Sequence, residues 1–321
     1  MMVRVPEYLK QSHDQLQRKF TAINKIEDAI IDQALSTPTS ETISHTLNAS
    51  LQRHNRFKNR YSNVFPYDQN RVKLKNVRDP LTDDYINASY IRLVSKSGRD
   101  TFSYISTQGP TSVTELDFWT MISEIEGDQL NIVMLTPYEE NGREKCFNYL
   151  QRLYPGSTST STCFGSTTHS NSFQFKLNDI SKSESLQVVN FTLSVLSRDE
   201  TSIIRTKTIT HYHVLDWDDF GKPNEWKTLH TISQAINSKN NKIPTVVHCS
   251  AGVGRSGTFI VLDYLFNSPL EDLVDVDRDE DVIYDTVKEL RQFRVMMVQS
   301  FNQYNFLYSA LLQFIENLSK N

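Results

Sequence analysis

Cysteine is scarce in this chain of 321 residues. Only Cys146, Cys163 and Cys249 occur, far apart and odd in number, which excludes a disulfide framework and a zinc pattern. Glycine and proline, ten of each, stand near or below ordinary usage and exclude a collagen-like or disordered chain. There is no surplus of positive charge: 34 Lys and Arg face 38 Asp and Glu, a formal net charge of −4. That excludes a nucleic-acid-binding surface on the scale of the whole protein, so any anion site must be local. Long apolar runs are missing as well. Residues 259–262 form one of the longest, far short of the ~20 residues that a membrane span requires. Residues 1–10 hold no apolar stretch suited to a signal peptide. These absences lead to the expectation of a soluble, cytoplasmic protein without nucleic-acid or membrane partners.

What is present suits a sizeable core: 38% hydrophobic residues, with 17 Phe and 14 Tyr. Between residues 6 and 35, Leu9, Leu16, Phe20, Ile23, Ile30 and Ile31 recur at helical spacing, which predicts one or two amphipathic helices. A polar stretch, 36–55, interrupts the pattern. Runs of β character follow at 85–91, 103–107, 131–135, 186–196 and 203–214, the last alternating as a half-buried strand does. The Ser/Thr-dense residues 155–172, which hold Cys163, read as an exposed loop. The acidic run 271–281 reads as a solvated loop or helix start, and 282–294 and 303–318 read as helices.

Three of the ten glycines, Gly252, Gly254 and Gly257, fall within six residues. They follow a short β-branched strand, Thr245-Val246-Val247-His248, and precede an apolar helical run. Strand, glycine turn and helix N-terminus together make an anion site from converging amides and partial positive charge. Two readings follow. The turn satisfies G-x-G-x-x-G, the dinucleotide-binding pattern, with Glu271 or Asp272 as the ribose acid. Against it, a bulky Arg sits in the turn and no convincing strand precedes Glu271. In the other reading, Cys249 opens the turn and Arg255 closes it, C-x-x-x-x-x-R. Such a loop wraps one phosphate, with Arg255 offering two parallel donors, and the same field favours a thiolate at Cys249.

The segment His248-Cys249-Ser250-Ala251-Gly252-Val253-Gly254-Arg255-Ser256-Gly257-Thr258-Phe259 resembles the active-site loop of the tyrosine-specific protein phosphatases. Further family-like segments run in the family's order: Asn59-Arg60-Tyr61, Asp84-Tyr85-Ile86-Asn87-Ala88-Ser89, Thr107-Gln108-Gly109-Pro110, Lys145-Cys146, Trp217-Asp218-Asp219-Phe220-Gly221 and Gln299-Ser300-Phe301-Asn302-Gln303. The resemblance implies an α/β fold: a single domain with a highly twisted mixed β-sheet flanked by α-helices. It would comprise a helical extension at 1–50 and a catalytic core at about 55–315, small, non-receptor in type and monomeric.

The resemblance also implies roles. Cys249 would attack phosphorus, while Arg255 and the amides of Ser250, Ala251, Gly252, Val253 and Gly254 would hold the equatorial oxygens. Asp219 would protonate the leaving phenolate and then serve as base for a water placed by Gln299 with help from Gln303. Ser256 would hydrogen-bond the thiolate, and His248 would steady the loop. Glu140, aligned through Lys145, would hold Arg255, and Trp217 would support the acid segment. Tyr61 would stack on the substrate ring, with Val64, Ala251, Val253 and Phe220 as walls. The partners would be tyrosine-phosphorylated proteins, and neither metal nor cofactor is called for. His211 and His213 share a strand face but lack a third ligand, which favours a structural role.

Four positions depart from the family pattern: Asp218 in place of a proline, Asn63 in place of a substrate-anchoring aspartate, Met296 at a site of some glycines, and Leu150 in place of a tryptophan. A phosphotyrosine-binding pseudophosphatase and a dual-specificity phosphatase are the rival readings.

Overall fold

Alternation of apolar side chains builds the centre of the molecule. In the computed structural model, which describes residues 5–36, 45–77, 84–153, 172–197, 200–217, 226–238 and 243–318, ten strands occur. They are β1 (Arg71–Lys73), β2 (Tyr85–Val94), β3 (Thr101–Thr107), β4 (Gln129–Met134) and β5 (Glu139–Glu140), then β6 (Arg143–Glu144), β7 (Ser172–Lys182), β8 (Leu186–Leu196), β9 (Ile203–Val214) and β10 (Thr245–His248). Eight of them form one mixed sheet in the order β1-β2-β3-β10-β4-β9-β8-β7. The middle pairs, β3/β10, β10/β4 and β4/β9, are parallel, and both wings are antiparallel.

Successive residues of each strand serve opposite faces. Along β4, Leu130, Ile132 and Met134 enter one core cluster, while Val133 enters the other. One face carries α3 (Glu115–Glu124), through Trp119 and Ile122, together with Tyr149 and Leu153. The other carries α1 (His13–Ser36), α4 (Trp226–Asn237), α5 (Gly254–Asn267), α7 (Val282–Phe293) and α8 (Phe301–Leu318). Two short helices, α2 (Asn48–Leu51) and α6 (Leu270–Val274), complete the set among the described residues. Strand β10 is buried along its whole length, and burial of Val246 and Val247 stabilises it by about 1.5–3 kcal/mol each. It anchors the loop that follows.

The expected strands are all present, with β2 continuing to Val94 and β3 beginning at Thr101. The N-terminal pattern is a 3₁₀ turn and one long helix, whose stripe Leu16, Phe20, Ile23 and Ala34 is buried. The acidic run is not simply solvated. Asp281 is 3% exposed; it caps α7 by accepting from the Tyr284 amide, and it also accepts from Lys19, Gln11 and Tyr308. Ser172 opens β7; residues 155–171, including Cys163, lie outside the described residues.

Candidate active site

The loop after β10 lies at the carboxyl end of the parallel strands, the edge where open α/β sheets place ligands. Cys249 leaves the strand and α5 begins at Gly254, so the helix N-terminus points into the loop. Gly252 adopts φ +70°, and a Cβ there would lie 2.1 Å from the Thr107 carbonyl oxygen, so only glycine fits. Its amide donates to Cys249 Sγ at 3.3 Å.

Arg255 is 2% exposed and closes the loop. Its Nη1 donates to Thr136 Oγ1 (2.9 Å) and the Leu135 carbonyl (3.2 Å), and its Nη2 donates to the Glu140 carboxylate at 3.3 and 3.4 Å. Glu140 reaches it from the β5–β6 hairpin, whose Asn141-Gly142 turn takes positive φ at both residues, as a type I′ turn requires. Lys145 Nζ meets the same carboxylate at 3.4 Å. Glu140, not the exposed Glu139, is thus the arginine's partner.

Ser250 Oγ donates to the Lys145 carbonyl (2.8 Å), so the Tyr61 hydroxyl is the donor in its 2.8 Å bond to Ser250. That bond stands Tyr61 against the loop. Beneath lies a fully buried chain. His248 Nδ1 faces the Cys249 carbonyl (3.2 Å) and must carry the proton, so Nε2 accepts from Tyr149 (2.7 Å). The Tyr149 oxygen in turn accepts from His211 Nε2 (2.7 Å). Burial lowers His248 to about 3 and holds His211 well below the usual histidine range, so both stay neutral at pH 7. Among the described residues no group of three potential metal ligands occurs.

A cavity of about 460 Å³ opens above the loop. Its lining includes Cys249, Ser250, Ala251, Gly254 and Arg255 at the base, Tyr61, Asn63 and Val64 on one wall, and Lys145, Gln299 and Gln303 around them. Arg60, Arg143 and Glu144, not expected from the sequence, also line it. Gln303 has a second task. Its Oε1 accepts from the Gln299 and Ser300 amides, while its own amide donates to Ser300 Oγ. This is a capping box at the start of α8, readable in Ser300-x-x-Gln303.

Two expectations are corrected. Val253 does not form a pocket wall: its side chain is fully buried in the core, and its carbonyl accepts from Gly257 and Val298. The Ser256 hydroxyl, fully buried, makes no hydrogen bond with any described residue, and the bond to the Cys249 sulfur comes from the Gly252 amide instead. Trp217 is 2% exposed at the end of a described stretch. Asp218, Asp219 and Phe220 lie outside the described residues.

The sequence reading missed the buried arginines. Arg294, fully buried, donates to the Gly252 and Ala251 carbonyls and to Asn87 Oδ1 and Ser89 Oγ. Asn87 also donates to the Val64 carbonyl and to Asn59, which ties the Tyr61 segment to the loop. Burial lowers Arg294 to about 10, so it remains a cation at neutral pH below the loop.

A family model described as protein-tyrosine phosphatase matches residues 55–313. The chain belongs to that family. It is 32% identical to tyrosine-protein phosphatase 1 of Saccharomyces cerevisiae, across the whole of both chains. To tyrosine-protein phosphatase non-receptor type 9 of Rattus norvegicus it is 33% identical over 84% of its own length, spanning 44% of that protein. The solved catalytic domain of human protein tyrosine phosphatase non-receptor type 18 superposes with a TM-score of 0.73 at 25% identity, covering 94% of this chain and 96% of that one. A second structure, PTPN18 in complex with HER2 phosphopeptides, matches with a TM-score of 0.73 at 25% identity, over 93% and 99%. The phosphatase fold therefore accounts for the mixed sheet and its flanking helices. No helix among the described residues is long and apolar enough to cross a membrane.

Proposed function

We propose that this phosphatase hydrolyses phosphotyrosine in proteins through a cysteinyl-phosphate. The observation that carries the reading is Cys249 at the base of a cavity beside a guanidinium that Glu140 and Thr136 hold in one orientation. In this reading the Cys249 thiolate attacks phosphorus, and the S–P bond forms as the P–O bond to the tyrosine breaks. Arg255 and the amides of residues 250–254 stabilise the equatorial oxygens, where positioning and electrostatics supply most of the catalysis. Asp219 gives its proton to the departing phenolate, a poor leaving group near neutral pH given tyrosine's pKa of ~10. Gln299 then places a water that attacks phosphorus. Its proton passes to Asp219 and the S–P electron pair returns to sulfur.

The wall made by Tyr61 and Val64 favours an aryl ring, and a phosphoserine side chain is too short to cross it to Cys249. Neutral His248, donating to the Cys249 carbonyl, steadies the loop. A monomer in the cytoplasm, where the free thiols of Cys249 and Cys146 stay reduced, fits this chemistry.

The test compares turnover of p-nitrophenyl phosphate and of phosphotyrosine, phosphothreonine and phosphoserine peptides. The reading expects phosphotyrosine turnover, abolished in Cys249→Ser with peptide binding retained, and a kcat lowered by roughly 10²- to 10⁴-fold in Asp219→Ala. Peptide binding without turnover by the wild-type chain would establish the pseudophosphatase instead, and equal turnover of phosphothreonine would establish dual specificity.

A further inference from the structure

Helix α1 lies outside residues 55–313, yet it sends one carboxylate into the catalytic core. Glu27 occupies a core position of the α1 stripe, 5% exposed, in line with Phe20, Ile23 and Ala34. A charge so placed is retained only where partners hold it. Its Oε2 accepts from Arg291 Nη1 at 3.0 Å, and its Oε1 accepts from the Met296 amide at 2.7 Å. Arg291 is itself 3% exposed. Its Nε donates to the Met297 carbonyl and its Nη2 to the Val298 carbonyl, both at 3.0 Å. Glu27 and Arg291 thus hold one backbone group on each of three successive residues.

Those three residues need holding. Met296 and Val298 have φ of +58° and +59°, a region that side chains avoid, most of all a β-branched one. Such strain persists where the surroundings over-determine it. The strained turn ends at Gln299, whose amide is fixed by Gln303 from the other side. It also touches the phosphate loop, since the Val298 amide donates to the Val253 carbonyl at 3.1 Å.

We infer that Glu27 is a positioning residue for the hydrolytic half of the reaction, acting through Arg291 and the turn 296–298 on Gln299. The inference rests on the water-placing role of Gln299 given above. The step it serves is breakdown of the cysteinyl-phosphate: a water oxygen bonds to phosphorus, the S–P bond breaks with its electrons returning to sulfur, and the water's proton goes to the Asp219 carboxylate. Formation of the phosphoenzyme involves Cys249, Arg255 and Asp219 and does not require Gln299. Loosening the clamp should therefore slow the second step and spare the first.

Rapid-quench kinetics with p-nitrophenyl phosphate on the full chain reads the two steps apart. The variants are Glu27→Gln, which weakens the ion pair, and Glu27→Gln/Arg291→Met, which removes both charges and leaves neither buried alone. Gln299→Ala is the reference, and Asp32→Asn, at an exposed site on the same helix, is the control. Misplacement by ~1 Å costs up to ~100-fold, so a partial loosening is expected to lower kcat by about 3- to 30-fold. KM should fall by the same factor, leaving kcat/KM unchanged, with a larger burst and slower decay of the phosphoenzyme. Asp32→Asn should match the wild type. If kcat and kcat/KM fall together with no larger burst, Glu27 is only structural and the inference is overturned. It is also overturned if the Glu27 variants match the wild type while Gln299→Ala accumulates phosphoenzyme. If Gln299→Ala itself accumulates none, the role of Gln299 falls and the inference falls with it.

Discussion

Replacing Gly257 by alanine sets two effects of similar size against each other. Gly257 is in the first turn of α5, where alanine is the better helix former by about 1 kcal/mol. The opposing effect is contact. A Cβ on Gly257 would lie 2.5 Å from the Val298 amide nitrogen and 3.1 Å from the Met297 carbonyl carbon. Both atoms are backbone, so no side chain can swing aside, and ordinary contact begins at 3.4 Å. The helix or the turn must move by roughly 0.9 Å, and overpacking of this kind costs about 1–3 kcal/mol. Contact wins by a small margin, so Gly257→Ala is expected to lose about 1 kcal/mol and roughly 2–4 °C in Tm. Activity should suffer far more than stability. The displaced turn carries the Val298–Val253 bond and leads into Gln299, and a shift near 1 Å costs up to ~100-fold in rate. Thermal melting monitored by circular dichroism, beside stopped-flow turnover of p-nitrophenyl phosphate, separates the two. A variant that melts higher than the wild type and turns over at the same rate would show that helix propensity prevails and that the close approach has been misjudged.

Glu140→Ala removes the charge-assisted bonds to Arg255, worth about 1.5–3 kcal/mol, so kcat/KM should fall roughly 10- to 150-fold, while Glu139→Ala should change it little; equal losses in the two variants would break the assignment. Brief peroxide treatment should inactivate the enzyme by oxidising Cys249 and spare Cys146, whose thiol burial pushes far above its usual range; peptide mapping that finds Cys146 oxidised first would refute this. Asp263, fully buried beside Tyr104 and Asn237, is raised by desolvation to about 6. Between pH ~4 and ~6 the folded chain keeps a proton there that the unfolded chain has lost, so this carboxyl lowers stability as pH rises, by up to about 3 kcal/mol. Denaturant unfolding should show Asp263→Asn gaining on the wild type across that window, and a difference independent of pH would count against it.

The sheet was legible because period-two alternation survives in long strands such as 186–196 and 203–214, where along most of the length one face is buried and the other only partly covered. Short or uniformly buried elements carry no such signal. Helix α3 is buried at nine of its ten positions and lacks an exposed stripe, so periodicity passes over it. The β5–β6 hairpin is two residues on each side, and only its Asn-Gly turn marks it in the sequence. Both matter to the site, since the hairpin delivers Glu140, and α3 packs Phe118 against Tyr149 and His248.

At the site itself, contiguity decided what could be read. Cys249, the glycines and Arg255 make one short loop, so their spacing alone implies a phosphate cradle. The groups that hold the loop come from remote segments, and each looks ordinary in its own neighbourhood. Arg291 and Arg294 sit in a charged helical run that suggests a solvated face, yet one is 3% exposed and the other fully buried. Glu27 is one acid among several on α1, distinguishable only because it interrupts an apolar stripe. Burying a charge is costly unless it is paired and hydrogen-bonded, so these residues exist where they are only because of specific partners. Arg294 satisfies its donors on loop carbonyls and Asn87, and Arg291 on the strained turn and Glu27. In a trans peptide the N–H points opposite the C=O, so fixing the Ala251 and Gly252 carbonyls from below turns the Gly252 and Val253 amides the other way, and the Gly252 amide meets Cys249 Sγ. Of the two buried cations, Arg294 thus grips the loop itself on its far side, while Arg291 holds the neighbouring turn that leads to Gln299.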